Sequence, residues 1–217
     1  MRNADGGLDT MKIETVVVGD FAVNCFVCTG TDSQALVIDP GEEAQLVVTH
    51  LQERGLNVAA YLMTHGHCDH VSALAAVHEA FPAPVAMHPA DRDWAFTTAN
   101  TLPPFFSTAP HQPDSERIDF ADGESYTHAG LTFSIIETPG HTPGGVCIYF
   151  EQDAILITGD TLFAGSVGRT DLHGGDSRVL SASLKKLQML PDHTRIFPGH
   201  GPSSTIGQEK RTNFFMQ

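Results

Sequence analysis

Four side chains of types that bind metal ions lie within six residues of the chain. They are His65, His67, Asp69 and His70. An apolar run, residues 58–63, precedes them and predicts a buried strand. Alternate residues of an extended chain point the same way, so His65 and His67 can face one point. Asp69 and His70 fall on the first turn of a following helix and face a second point. The spacing therefore suits two adjacent metal ions better than one.

The chemistry of these side chains narrows the choice of metal. Imidazole and carboxylate together favour zinc, with iron and manganese as alternatives, over calcium or magnesium. A histidine-rich surface loop, or core histidines with local partners, is the alternative interpretation. A single histidine would favour that alternative, but four ligand-type residues directly after an apolar strand favour a metal site. A strand-to-helix turn of this kind lies where α/β sheets place their sites.

Three further candidate ligands stand in equivalent places along the chain. His141, Asp160 and His200 each follow an apolar run that predicts a strand, and each lies beside glycine. Glycine lets the backbone turn sharply and approach a site closely. Of the remaining histidines, only His173, in a glycine-rich stretch, is a weaker candidate ligand.

The elements around these residues form two similar halves. Each half runs through strands, then a helix, then a strand. Strands are predicted at residues 13–18, 23–29, 35–38, 58–63, 85–87, 125–128, 131–137, 146–150, 154–158 and 194–197. Helices are predicted at residues 42–54, from 71 onward, and at 90–98, 177–190 and 207–212. Two sheets packed face to face with helices outside would bury these runs in a single domain, residues 11–217. Residues 1–10 are polar and are predicted to be a disordered extension.

Composition excludes several classes of partner. The formal net charge of −14 over 217 residues argues against nucleic acid as a partner and against docking on an anionic membrane.

Cys25 and Cys28 have the spacing of a metal or redox pair, but they lie in a predicted strand and would point to opposite faces. Few cysteines and no signal-peptide pattern predict a cytoplasmic protein.

As an ordered set, these residues resemble the metallo-β-lactamase superfamily. The resemblance rests on Asp39 within residues 38–41, the block at residues 65–70, and the three later ligands. It implies a four-layer αββα sandwich, an α/β fold, with a two-metal site at one edge. It also implies that Asp39 orients the metal-binding loop. The implied ligands are His65, His67 and His141 for the first metal, Asp69, His70 and His200 for the second, and Asp160 bridging both.

Within the superfamily, residues 158–163 and 198–202 are similar to glyoxalase II, the hydroxyacylglutathione hydrolases. Full-length enzymes of that group carry a C-terminal helical domain that helps to bind glutathione, whereas this chain ends at residue 217. The match is therefore to the short, single-domain glyoxalase II-like proteins. Arg169 stands near the place of a glutathione-binding lysine, and Lys210 and Arg211 remain from the tail. These three are the candidate substrate-binding residues.

The resemblance implies hydrolysis of a small-molecule thioester such as S-lactoylglutathione. Two adjacent divalent metal ions lower the pKa of a shared water toward roughly 7 and yield a bridging hydroxide that attacks the carbonyl. Asp69 could take up the proton while it holds its metal, and Asp160 would hold the two ions together. Arg169 could bind an anionic end of the substrate. The alternative for Arg169 is a surface arginine paired with Asp171 or Asp176.

Other functions remain open from sequence. A persulfide dioxygenase of the same fold would use one iron, held by His65, His141 and Asp160, and shares the run at residues 168–171. A metal-binding module without catalysis is a second alternative, against which the complete ligand set argues. Aspartate rather than cysteine at position 160 argues against β-lactamase activity.

Overall fold

A computed structural model describes residues 11–30 and 32–217 of the chain. The predicted disordered extension, residues 1–10, lies outside this part. The described residues form two six-stranded mixed sheets, a small hairpin and six α-helices. The two sheets correspond to the two halves of the sequence.

The first sheet holds six strands in the order in which they occur along the chain. They are β1 (Lys12–Val18), β2 (Val23–Thr29), β3 (Gln34–Ile38), β4 (Asn57–Leu62), β5 (Val85–Met87) and β6 (Arg117–Asp119). The pairs β1–β2 and β2–β3 are antiparallel, and the strands from β3 to β6 are parallel. The carboxyl ends of these parallel strands therefore share one edge of the sheet.

The second sheet is built from the other half of the chain. Its strands are β7 (Ser125–His128), β8 (Leu131–Glu137), β9 (Val146–Phe150), β10 (Ile155–Gly159), β13 (Arg195–Pro198) and β14 (Ser204–Thr205). A separate hairpin of β11 (Leu162–Phe163) and β12 (Ser166–Val167) lies between β10 and β13 in the chain. The spatial order is β14-β13-β10-β9-β8-β7, and only β10 and β13 pair in parallel.

Helices cover the outer faces of both sheets. They are α1 (Ala44–Glu53), α2 (Cys68–Val71), α3 (Leu74–Ala80), α4 (Pro89–Ala95), α5 (Ser177–Leu187) and α6 (Ile206–Thr212). Apolar side chains of α1 and α3 share a core with the outer face of the first sheet. Those of α5 and α6 share another core with the outer face of the second sheet.

Strand β2 shows how the layers arise from sequence. Phe26 and Cys28 point into the core between the two sheets, whereas Cys25 and Val27 point to the core under the helices. This alternation follows from the two-residue period of a strand, and a strand buried on both faces is apolar throughout. The predicted αββα sandwich is confirmed, and the two cysteines lie on opposite faces as expected.

Several details differ from the sequence-based expectation. The helix predicted from residue 71 onward is split into α2 and α3, because the N–H of Ala73 donates to the Gly41 carbonyl at 2.7 Å instead of continuing the helical ladder. The short strands β6, β11, β12 and β14 were not predicted. No helix in the part of the chain that the structure describes is long and apolar enough to cross a membrane.

Candidate metal centre

All seven predicted metal-binding side chains meet at one edge of the sandwich. They lie in the segments that follow strands β4, β8, β10 and β13. These segments carry His65, His67, Asp69, His70, His141, Asp160 and His200. The strand ends therefore position every candidate ligand, as open α/β sheets do for their sites.

The first cluster consists of three buried histidines. The ligand atoms of His65, His67 and His141 all lie within 4.8 Å of one another. Nδ1 of His67 is 2.9 Å from Nε2 of His141, and Nε2 of His65 is buried without a hydrogen-bond partner. Converging ring nitrogens of this kind form the donor set of zinc or iron. The cluster therefore fits one divalent metal ion.

The second cluster adds a carboxylate to two histidines. The ligand atoms of Asp69, His70 and His200 also lie within 4.8 Å of one another. Asp160 stands between the clusters, because its Oδ2 is 3.5 Å from Nε2 of His141 and 3.4 Å from Nε2 of His200. Its Oδ1 is buried without a hydrogen-bond partner. One carboxylate thus reaches both clusters, which is the position that a bridging ligand would take.

Asp39 orients the loop that carries both clusters. Its carboxylate accepts hydrogen bonds from the N–H of Thr64 at 2.8 Å and from the Thr64 hydroxyl at 2.5 Å. Its Oδ2 is also 3.1 Å from Nδ1 of His70. The Thr64 hydroxyl lies 3.0 Å from Nδ1 of His65. With their Nδ1 atoms bonded, His65 and His70 turn Nε2 toward the clusters.

Backbone carbonyls orient two further rings. Nδ1 of His141 donates to the carbonyl of Arg169 at 2.6 Å, and Nδ1 of His200 donates to the carbonyl of Phe21 at 2.9 Å. Each hydrogen bond fixes the tautomer of its ring and leaves the unprotonated Nε2 free to bind a metal ion.

The electrostatics of the clusters suit cations. Burial lowers the pKa of His67 to about 3, so this ring is neutral at pH 7. Burial also opposes charge on His70 and His200, but the carboxylates Asp69 and Asp160 outweigh it and raise the pKa of these two histidines to about 9 and about 11. Without metal, protons on two histidines therefore compensate the two carboxylates, and divalent cations would displace those protons.

A buried carboxylate that sequence reasoning missed lies behind the first cluster. Asp91, in α4, accepts hydrogen bonds from the N–H of Gly66 at 2.8 Å and the hydroxyl of Thr142 at 2.7 Å. It also accepts from the N–H of Gly144 at 2.6 Å and from Nε1 of Trp94 at 3.3 Å. Gly66 lies between two histidines of the cluster, and Thr142 follows the third. Asp91 therefore ties together the two loops that supply the first cluster.

Close backbone approach explains a glycine beside the ligands. A Cβ atom at Gly199 would lie 2.2 Å from Oδ1 of Asp160 and 2.8 Å from Cε1 of His70. No side chain fits there without displacing a candidate ligand. The sequence pattern of glycine beside each later ligand thus has a steric cause at this position.

A cavity of about 490 Å³ opens onto the clusters. Beyond them, its walls include Phe21, Trp94, Leu102 and Leu172. His173 also lines the cavity, with its ring centroid 5.0 Å from that of Trp94. His173, the weaker candidate ligand, belongs to neither cluster and lies in the wall of the cavity.

The predicted substrate-binding cations divide into two groups. Arg169 lines the cavity, and its Nε and Nη2 donate to the carboxylate of Asp171 at 2.6 and 2.8 Å. Lys210 and Arg211 are not among the residues that line it. Lys210 instead donates to Asp192 at 2.7 Å. Helix α6 therefore places Lys210 and Arg211 outside the lining of this cavity, and their role at the substrate stays a prediction.

A sandwich of two mixed sheets between helices, with paired histidine and aspartate clusters at one edge, defines a metal-binding protein of the α/β class. The model of the metallo-beta-lactamase superfamily matches residues 18–200. The chain belongs to this superfamily of metallo-hydrolases.

Three relatives extend over nearly the whole chain. The hydroxyacylglutathione hydrolase GloC of Haemophilus influenzae is 34% identical over 218 residues, which cover 95% of this chain and 98% of that protein. The solved structure of the BLEG-1 B3 metallo-beta-lactamase is 37% identical, covers 94% of this chain and 99% of its own, and has a TM-score of 0.86. The structure of TTHA1623 in a di-iron-bound form is 38% identical, covers 93% and 99%, and has a TM-score of 0.82.

The division into two clusters predicts separate effects of single substitutions. We expect His65→Ala to release the metal ion of the first cluster and His200→Ala mainly to weaken binding at the second, because each change removes one donor from one cluster only. Metal analysis after dialysis checks this, with the exposed His111→Ala as the matched control. Full metal content in both variants would show that these residues are not ligands.

Proposed function

We propose that this protein hydrolyses thioesters with two divalent metal ions. The observation that carries the proposal is the pair of ligand clusters joined by Asp160, which opens onto a cavity of small-molecule size. The similarity to GloC supports a thioester as the substrate, and S-lactoylglutathione is the first compound to test.

The proposed ligands are divided as the clusters are. His65, His67 and His141 would hold the first metal ion, Asp69, His70 and His200 would hold the second, and Asp160 would be within reach of both. Zinc, iron and manganese all fit imidazole and carboxylate donors. The di-iron form of TTHA1623 supports iron as one of them.

The chain's own residues would hold the ions and take up a proton. Two divalent ions supply, when bound, a water of lowered pKa and a Lewis acid for the carbonyl oxygen. Asp69, whose side chain is 17% exposed at the cavity floor, can accept the proton that the attacking water loses. The water oxygen then forms the new bond to the carbonyl carbon, and the C–S bond breaks with its electron pair leaving on sulfur. Because a thiolate is a good leaving group, no further acid is needed.

The structure bears on the alternatives. A dioxygenase with one iron would use only His65, His141 and Asp160, whereas Asp69, His70 and His200 form a complete second cluster. A metal-binding module without catalysis would not need the cavity that exposes both clusters. Hydrolysis of a β-lactam is the second candidate. The similarity to the BLEG-1 structure in fold and length favours it, whereas aspartate at position 160 argues against it.

One assay separates these functions. Protein loaded with zinc, iron or manganese is given S-lactoylglutathione, a persulfide or a β-lactam, with and without oxygen. We expect thiol release from the thioester at equal rates under both atmospheres. Oxygen consumption with the persulfide and no thiol release would establish the dioxygenase instead. Turnover of the β-lactam alone would overturn the choice of substrate.

A further inference from the structure

The cavity walls beyond the metal clusters are largely apolar. The lining includes Phe21, Trp94, Leu102 and Leu172. Trp94 lies next to the first cluster, with its ring 5.6 Å from that of His67. A group attached to a carbonyl at the clusters would therefore meet aromatic and aliphatic carbon.

This apolar surface continues from the cavity to the outside of the protein. The N–H and carbonyl of Leu102 pair with the carbonyl and N–H of Phe106 at 2.8 and 3.0 Å. The ring of Phe21 lies 5.1 Å from that of Phe105 and 5.8 Å from that of Phe106. Phe105 remains 57% exposed. An exposed aromatic side chain that continues the wall of a cavity offers contact to a ligand that extends out of it.

Two polar side chains of the same wall are bonded within the protein. Nε1 of Trp94 donates to Asp91, and Nδ2 of Asn100 donates to the carbonyls of Gly66 at 2.7 Å and Ala95 at 2.6 Å. These donors hold the loops together and are therefore not free to bond a polar substrate.

The arginine that lines the cavity does not present an unpaired charge to an anion. Arg169 is bound on two nitrogens by Asp171, so the pair presents no net charge. The chain as a whole carries −14. A carboxylate that bound Arg169 would have to displace Asp171 from it.

From this wall and its charges we infer that the substrate carries an uncharged, apolar group beside its carbonyl, of the size of an alkyl chain or a phenyl ring. This group packs against Trp94 and Leu102 and extends toward Phe105. The inference rests on the proposed function for the thioester, but the apolar site itself binds whether or not a thioester is cleaved.

Trp94 is the only tryptophan of the chain, so its fluorescence reports on this cavity directly. Zinc-loaded protein is titrated with thioethers of N-acetylcysteamine that carry butyl, hexyl, octyl or 3-carboxypropyl groups and that cannot be hydrolysed. We expect Kd to fall about fourfold for each buried methylene. We expect the carboxypropyl compound to bind more weakly than the butyl compound. Equal or tighter binding of the carboxypropyl compound would overturn the inference.

Single substitutions test where the alkyl group of the ligand binds. Leu102→Ser and Phe105→Ser should reduce the gain in affinity with chain length, whereas Phe214→Ser, an exposed phenylalanine outside the cavity lining, should not. Asp171→Asn should free Arg169 and strengthen binding of the carboxypropyl compound. An unchanged chain-length series in Phe105→Ser and Leu102→Ser together would contradict the placement of the apolar group.

Hydrolysis of matched butanoyl, hexanoyl and succinyl thioesters distinguishes the two proposals. Binding of alkyl thioethers without cleavage of any thioester would overturn the proposed function and leave the apolar site standing. Cleavage that is fastest for the succinyl thioester would support the proposed function and overturn the apolar site.

Discussion

Replacement of Asp160 by alanine is expected to remove metal from both clusters and to abolish thioester hydrolysis. The carboxylate lies within 3.5 Å of Nε2 of His70, His141 and His200. Without it, Nε2 of His70 and Nε2 of His200, which are 3.3 Å apart, lose a shared counter-charge. Loss of a residue behind a ligand costs roughly 10–100-fold in metal affinity or activity, and loss of this shared ligand should cost more.

Zinc titration against a competing chromophoric chelator measures this effect, with thioester hydrolysis followed in parallel. Asp192→Ala is the control, because Asp192 is an exposed aspartate that pairs with Lys210 far from the cavity lining. An Asp160→Ala variant that still binds two ions with unchanged affinity would remove the bridging role.

Replacement of Asp91 by asparagine is expected to weaken the first cluster selectively. Four groups now donate hydrogen bonds to the Asp91 carboxylate, including those of Gly66, Thr142 and Gly144. The amide of asparagine would direct its own N–H groups at some of these donors. Buried donors left unpaired cost about 1–3 kcal/mol each, so the metal-free protein should lose stability. Looser loops should lower metal affinity at the first cluster by roughly 10–100-fold, as changes behind a ligand do.

Two measurements distinguish a role of Asp91 in positioning the first cluster from a general loss of protein stability. Stepwise zinc titration gives the affinity of each cluster, and thermal unfolding of the metal-free protein gives its stability. Asp93→Asn, an exposed aspartate on the same helix, serves as the control. Equal weakening of both clusters, in proportion to the loss of stability, would show that Asp91 supports the fold rather than the first cluster.

The sequence was sufficient to predict ten of the fourteen strands in the described part of the chain, and the candidate ligands at their ends, because these depend on local patterns. Strand β2 is apolar throughout, and its alternation sends Phe26 and Cys25 into different cores. The same alternation brings His65 and His67 together, while the start of α2 turns Asp69 toward the second cluster. These relations depend on residues close in the chain, so a sequence reveals them.

Contacts between segments that are far apart in the chain could not be predicted from local sequence patterns. Asp91 looks like an ordinary acid in the first turn of a helix, where the dipole favours it. Its position three and four residues before the buried Trp94 and Ala95 was the one signal that it faces inward. The split between α2 and α3 depends on Gly41, far back in the chain, and the direction of Lys210 depends on how α6 packs.

The number of metal ions per chain tests the two-metal hydrolase most directly. Purified protein is loaded in turn with zinc, iron and manganese, freed of excess metal, and measured by elemental analysis. We expect close to two ions per chain, because the two ligand clusters are complete and share Asp160. A reproducible content of one ion per chain, unchanged by added metal, would contradict the two-metal mechanism.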